Sequence, residues 1–325
     1  MADRLKNFQF TKLLALGALV ILYIIFAIFG RNFVSIPTTL NILSASYFVG
    51  FLAIGVTFVI ITGGIDLSIG AVMIAAALVG GELFRVHELP LWVALIAMVG
   101  TGTLFGLANG LMVTRLKLPP FIATLGTMMV ALGLGSIITN STTRRFPTIL
   151  DPEAWFGRVF LRTGNFPTGA LFLLGFFIIA FILLNKTKFG RYVFAIGSNE
   201  EAVRLSGVNA ANWKCLAFVF CGFSAGVASI FFAAAYLTIV PNTGNGFELE
   251  AIAAVVIGGT SLAGGVGSLT GTIIGVFIMS TLRVGLVSMG LPAPYQVFFS
   301  GLVVIGAVLL DIQRTKKANQ VKKVG

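Results

Sequence analysis

The sequence has little of what soluble proteins and enzymes rely on. Charged residues fill only 10% of its 325 positions, and it contains one histidine (His87) and two cysteines (Cys215, Cys221). A soluble domain carries roughly a quarter charged residues, so this chain has too few polar groups to cover a water-facing surface. With a lone histidine, sparse acids and no His/Cys cluster, no metal site is expected and acid–base chemistry is poorly supplied. Cys215 and Cys221 fall on one apolar run but on different helix faces, which argues against a disulfide and leaves two buried free thiols. No Walker G-x-x-x-x-G-K-[ST], no G-x-G-x-x-G after a strand and no Ser/His/Asp set occurs. No cofactor is implied, and energy for any active work must come from elsewhere.

What fills the chain is hydrocarbon. Hydrophobic residues make up 57% of it and the mean hydropathy is +1.01. Roughly 20 apolar residues cross a bilayer, and runs near that length recur at about 12–29, 42–62, 67–84, 91–113, 121–139, 168–184, 215–239, 249–261, 268–289 and 294–311. They predict an all-α polytopic membrane protein of about ten transmembrane helices, one integral domain over 1–325. The eighth run is short for a full crossing and leads into glycines. Arg4, Lys6 and Lys12 precede the first run in the manner of a signal peptide, but no convincing cleavage site follows, so it reads as an uncleaved span.

The net charge of +11 is explained by topology rather than by nucleic acid. Fifteen Lys and Arg residues fall on one side of a ten-span arrangement (4, 6, 12, 115, 117, 186, 188, 191, 204, 214, 314, 316, 317, 322, 323) and six on the other (31, 85, 144, 145, 158, 162). The positive-inside rule then puts both termini in the cytoplasm. Arg283 lies inside the ninth run, where no acidic mate is evident.

Two polar segments interrupt the pattern. Residues 140–167 are expected outside. Residues 185–214 are expected inside, with a short helix begun by Ser198 or Asn199, acidic at Glu200 and Glu201, ended by Gly207, and apolar along Ala202, Val203 and Leu205. That helix reads either as a solvated connector or as a docking element for a cytoplasmic partner.

Most of the 39 glycines lie within the runs, where small residues let helix backbones approach. Two clusters differ: Gly63-Gly64-Ile65-Asp66-Leu67-Ser68-Ile69-Gly70, and the stretch from Gly258 to Ser268 with Thr260 and Ser261. Broken backbone at membrane depth is tolerated only inside protein or beside a water-filled cavity. Asp66 or Ser68 reads as the N-cap of the third span; Asp66 reads alternatively as part of a transport gate or, least favoured given so few titratable groups, as a proton-coupling group. One cluster in each half hints at inverted repeats, spans two to five and seven to ten.

Several stretches together resemble a known family. They include Asn41-Ile42-Leu43, the Gly63–Gly70 cluster, Gly106-Leu107-Ala108-Asn109-Gly110, Leu118–Thr127, Gly190-Arg191-Tyr192, Ala195–Ala202, Leu205-Ser206-Gly207-Val208 and Ala251–Leu262. In this order the chain is similar, over nearly its whole length, to permease subunits of bacterial ATP-binding-cassette importers for ribose, xylose and related monosaccharides, within the branched-chain amino acid permease-like superfamily. The resemblance implies an inner-membrane homodimer in lipid, with a cytoplasmic ATPase on one side and a periplasmic sugar-binding protein on the other. It makes 140–167 a periplasmic loop and 185–214 a coupling segment, with Gly190, Arg191, Gly197, Asn199, Glu200, Glu201, Ala202, Arg204, Leu205, Ser206 and Gly207 meeting the ATPase. Closure of the ATPase pair would then swap inward for outward access at the dimer axis. Candidates for the passage or its gate are Asn41, Ser44, Ser46, Gly64, Asp66, Ser68, Asn109, Thr124, Thr127, Thr260 and Ser261. Two competing readings are a same-fold permease for branched-chain amino acids or nucleosides, and a stand-alone secondary transporter or channel. The Gly-Gly-Ile-Asp-Leu-Ser stretch favours sugar.

Overall fold

Lipid offers no partner for a free N–H or C=O, so long apolar runs close their hydrogen bonds internally as helices. The computed structural model describes residues 2–324, with the side chains of 1–12, 293 and 314–325 outside the described set. The side chains of the terminal basic residues Arg4, Lys6, Lys12, Arg314, Lys316, Lys317, Lys322 and Lys323 that weigh in the charge asymmetry therefore lie outside the described set.

The order is α1 (Ala2–Phe29), α2 (Ile36–Ile61), α3 (Ile69–Arg85), α4 (Leu91–Thr114), α5 (Pro120–Ile138), β1 (Arg144–Arg145), α6 (Trp155–Phe160), α7 (Thr168–Lys186), α8 (Lys188–Leu205), α9 (Ala210–Tyr236), β2 (Thr238–Ile239), α10 (Phe247–Ile257), α11 (Leu269–Ser288) and α12 (Ala293–Val324). Among the described residues seven helices are long and apolar enough to cross a membrane: α2, α4, α5, α7, α9, α11 and α12. Capping follows the sequence. Ser35 Oγ accepts from Thr38 N at 3.3 Å to start α2, and Asn209 Oδ1 and Ser268 Oγ do the same for α9 and α11.

Helices α2 and α9 pack against each other at the centre, and the α2 run from Tyr47 to Ile61 is buried throughout. Around them, α4 lies on α9 and α11 on α2; α3 is held by α4, α5 and α9, while α10 is held by α11, α12 and α2. The α4–α9 seam uses glycines spaced by four. A Cβ on Gly102 would meet Gly226 Cα at 2.7 Å, and one on Gly106 would meet Gly222 Cα at 2.9 Å. With no hydrophobic drive between helices in lipid, such backbone-to-backbone contact supplies the attraction. Apolar side chains of α1, α4, α5, α7 and α12 remain exposed on the outside, as a lipid-facing shell requires.

The segment 140–167 is ordered. Within 140–167, β1 pairs antiparallel with β2, and α6 packs on α7 and α9. Arg144 ties it to α3 through its ion pair with Glu82 and donates Nη2 to Thr139 O at 3.1 Å. Asp151 accepts from Thr148 N and Oγ1 and lies 3.6 Å from Arg85, contacts that hold its carboxyl below the usual range, the Thr148 backbone donor most of all.

One expectation is corrected. Arg283 does have an acidic mate, Glu250 on α10, at 3.0 Å, and its guanidinium lies 4.8 Å from the centre of the Phe247 ring. The partner is 33 positions away in the chain and becomes adjacent only because α10 packs on α11.

Candidate functional site

The first site grows from the break between α2 and α3. After Ile61 the chain runs irregularly to Ser68, with Gly63 at φ +78°. Asp66 Oδ1 accepts from Ser68 N at 2.9 Å and Ser68 Oγ at 2.6 Å. Asn109 of α4 donates Nδ2 to Ser68 Oγ at 2.9 Å and to Asp66 Oδ2 at 3.4 Å, and its Oδ1 accepts from Thr127 of α5 at 2.6 Å. Thr124 reaches Ile65 O at 3.3 Å, and the Cys221 thiol of α9 lies beside Asp66. One polar network therefore joins the start of α3 to α4, α5 and α9. Ser68 is not the side-chain cap that the sequence suggests; its hydroxyl is turned to Asp66. Both cysteines are free.

The second site brings three glycine-bearing stretches together. Helix α8 starts at Lys188, earlier than the helix expected from Asn199, because Lys188–Ser198 is helical too. Asn199 breaks it at φ −165°, ψ 96°, and its Oδ1 accepts from Ala202 N at 3.0 Å, starting a second short helix. Gly207 ends that helix at φ +81°. Just before the kink, Gly197 and Ser198 lie on the ends of α2 and the 258–268 loop, where Gly265 N donates to Ile61 O at 2.8 Å. A Cβ on Gly265 would meet Ser198 Oγ at 2.6 Å. The loop is anchored from α12: Asp311 Oδ2 accepts from Leu262 N at 3.1 Å and from Ser261 Oγ at 3.4 Å. Thr260 Oγ1 accepts from Ser268 N at 3.3 Å.

Beyond the kink the surface is open. Leu205 is 81% exposed, and Glu200, Glu201, Ala202 and Arg204 are exposed as well, whereas Gly190, Val193 and Val203 face inward. Arg191 and Ser206 are exposed. Beside this tip an open cavity of about 810 Å³ is lined by Lys117, Pro119, Glu200, Arg204, Asn209 and Lys214, with Lys214 paired to Glu200 at 2.9 Å.

The expected passage residues do not share one surface. Ser46, Asp66, Ser68, Asn109, Thr124, Thr127 and Thr260 are buried, Gly64 packs against Val59 and Phe218, Ser44 and Ser261 are half-buried, and Asn41 is exposed. Sequence reasoning missed Glu248, Glu250, Glu82 and Asp311, all buried acids. Glu248 stands where the starts of α3 and α10 meet: a Cβ on Gly70 would lie 2.5 Å from its Oε2, while its Oε1 accepts from Gly246 N at 2.9 Å.

Residues 38–308 match the family model described as the permease component of a branched-chain amino acid transport system. The chain belongs to this permease family. The ribose import permease of Bacillus subtilis (strain 168) is 38% identical over 298 residues, 91% of each chain. The ribose import permease of Escherichia coli (strain K12) is 36% identical over 299 residues, 91% of this permease and 92% of the relative. The fructose import permease of Rhizobium meliloti is 33% identical over 319 residues, covering 96% and 88%. No solved structure matches the chain significantly. The permease is thus a multi-pass inner-membrane transport subunit rather than an enzyme, with the family match enclosing both sites except for Asp311.

Proposed function

We propose that this permease passes a monosaccharide of the ribose type across the inner membrane, receiving it from a periplasmic binding protein and driven by a cytoplasmic ATPase seated on the tip of α8. The observation that carries the reading is the kink at Asn199, which leaves Glu201, Arg204 and Leu205 outside while Gly197 and Ser198 stay pressed on α2 and the 258–268 loop. A push on the exposed end would thereby reach two breaks in the membrane helices. The names of relatives, import permeases for ribose and fructose, favour a sugar over an amino acid.

In this reading the ten helices α1–α5, α7 and α9–α12 form one domain of ten spans with both termini cytoplasmic, and two copies surround the passage. Helices α2–α5 and α9–α12 are inverted repeats. The packing supports that: α4 on α9 answers α11 on α2, and α3 against α9 answers α10 against α2. The Asp66–Ser68–Asn109–Thr127 set holds the inner break of the first repeat, the 258–268 loop with Thr260 and Ser261 holds that of the second, and Asn41 and Ser44 border the passage.

The test is uptake by proteoliposomes containing the permease, its ATPase and its binding protein. Glu201→Lys is expected to abolish ATPase co-purification and uptake while leaving the permease in the membrane. Wild-type uptake by that variant would overturn the docking assignment. A panel of pentoses, hexoses and branched-chain amino acids decides the solute, and transport of amino acids alone would refute the sugar reading.

A further inference from the structure

The chain between β2 and α10, residues 240–246, belongs to neither site. It is irregular, with Asn242, Gly244 and Gly246 in left-handed backbone at φ +59°, +105° and +102°. Its neighbours hold it in place. Ser136 Oγ of α5 donates to Asn242 Oδ1 at 3.1 Å, and Gly246 N donates to Glu248 Oε1 at 2.9 Å. Gly244 lies on α3, where a Cβ would meet Ile74 Cγ1 at 2.6 Å and Gly70 O at 2.9 Å.

Those contacts fix its depth. Ser68, just before α3, is joined through Asn109 to Thr127, which stands about 10 Å along α5 from Pro120 at about 1.5 Å per residue. Further along, Gly135 of α5 meets Leu78 of α3, so the two helices run side by side. Gly70 and Ile74 are therefore level with the middle of α5, whose whole length is about 28 Å. Gly244 lies with them, near the midplane of a hydrocarbon core roughly 30 Å thick. Helix α10, about 16 Å long, covers the remaining half to the 258–268 loop.

At that depth a chain without helical hydrogen bonds must lie inside protein or beside water. This segment is not enclosed by its own chain, since Asn242, Thr243 and Asn245 are exposed. The open surface ends at Leu249, which is 43% exposed, because Ala251–Val256 are buried. The surface is also uncharged: Glu250 is taken by Arg283, and Glu248 is buried, its Oε2 without a donor among the described residues. Thr243 Oγ1 donates to Val240 O at 2.7 Å, whereas the Asn245 amide has no hydrogen-bond partner among the described residues. An amide offers donors and an acceptor together, which suits sugar hydroxyls that both donate and accept. A zwitterionic amino acid would need charged partners that this surface does not present. Resting on the sugar-permease reading above, we propose that 240–246 lines the half of the passage nearer the 140–167 segment and that Asn245 hydrogen-bonds the passing sugar.

Sugar uptake by wild-type proteoliposomes tests the underlying reading, and variants in the same vesicles test the contact, so the two can fail separately. Asn245 is not among the left-handed residues, so replacing it brings no backbone strain. Asn245→Leu is expected to slow sugar uptake about fivefold, the effect of one lost hydrogen bond, with ATPase co-purification unchanged. Asn245→Gln keeps the amide and is expected to recover most of that rate. Asn245→Cys is expected to react with a charged, water-soluble methanethiosulfonate and to lose uptake on reaction, more slowly while sugar is being transported. The wild type sets the background, its Cys215 being half-buried and its Cys221 buried. Undiminished uptake by Asn245→Leu, or an Asn245→Cys thiol that the reagent cannot reach, overturns the proposal. Disulfide-linked dimers of Asn245→Cys that exclude the reagent overturn it too, making the segment a contact between copies.

Discussion

Asn109 ties α4 to the α2–α3 break and to α5, and the geometry allows the effect of its removal to be worked out. In Asn109→Ala three contacts vanish, to Ser68 Oγ, Asp66 Oδ2 and Thr127 Oγ1. Two of the three partners are still satisfied: the Ser68 hydroxyl keeps Asp66 Oδ1 at 2.6 Å, and Thr127 keeps Ala123 O at 2.9 Å. Asp66 Oδ2 is not, since only the weak thiol of Cys221 remains near that carboxyl. A buried polar atom stripped of its donor costs about 1–3 kcal/mol, and interhelical hydrogen bonds in membranes contribute about 0.6 kcal/mol each, so the loss is about 3 kcal/mol. Asp66→Ala/Asn109→Ala removes the stripped oxygen along with its donor. The double variant should therefore be less destabilised than the sum of the single ones by about 0.5–3 kcal/mol, the range for residues sharing a network. Reversible unfolding in mixed detergent micelles measures all four corners of the cycle. Additivity within about 0.5 kcal/mol would mean that the network is not energetically connected.

Further outcomes follow from the other contacts. Arg283→Gln or Glu250→Gln alone should destabilise the permease by about 3–5 kcal/mol, and the double substitution by less, because a lone buried charge is worse than none; the same micelle assay decides, and equal effects would refute the pairing. Gly207→Ala places a Cβ at φ +81° and should weaken the α8 tip by about 1–2 kcal/mol, read as reduced ATPase co-purification with normal membrane insertion. Gly197→Val would press on Ile61 O and Gly265 N and should lower uptake more than ATPase binding, since the tip beyond the kink is untouched. The depressed Asp151 carboxyl stabilises the 140–167 segment at neutral pH, above its unfolded pKa. That contribution is lost as pH falls through the lowered folded value, so proteolysis of 140–167 should accelerate only in strong acid, and acceleration already at pH 6 would contradict it.

Much of the fold was legible because lipid enforces a simple rule. A long apolar run must be a helix, so the runs around 42–62, 91–113, 168–184 and 268–289 reappear as α2, α4, α7 and α11 with shifts of a few residues. The short eighth run was readable too, and α10 spans only Phe247–Ile257. Asn199 as a helix start and Gly207 as its end were local matters of side-chain oxygen and positive φ, both carried by residue type. The helix upstream of Asn199 was not, since Lys188–Ser198 has no apolar periodicity strong enough to announce itself and is held by packing on α7 and α9. The order of 140–167 escaped for a similar reason: its strand partner, Thr238–Ile239, is nearly a hundred residues on.

By itself the sequence determined that this protein lives in a membrane and where most of its long apolar helices run, because those depend on composition over windows of about 20 residues. It also marked the glycine clusters, since a broken helix in lipid is expensive enough to leave a local signature. Only the tertiary structure decided what those breaks touch. Arg283 met Glu250, Asp66 met Asn109 and Thr127, and Asp311 met the 258–268 loop through pairings that no local pattern encodes. The physical reason is that a buried polar group needs one partner from anywhere in the chain, whereas a helix needs only its own next turn.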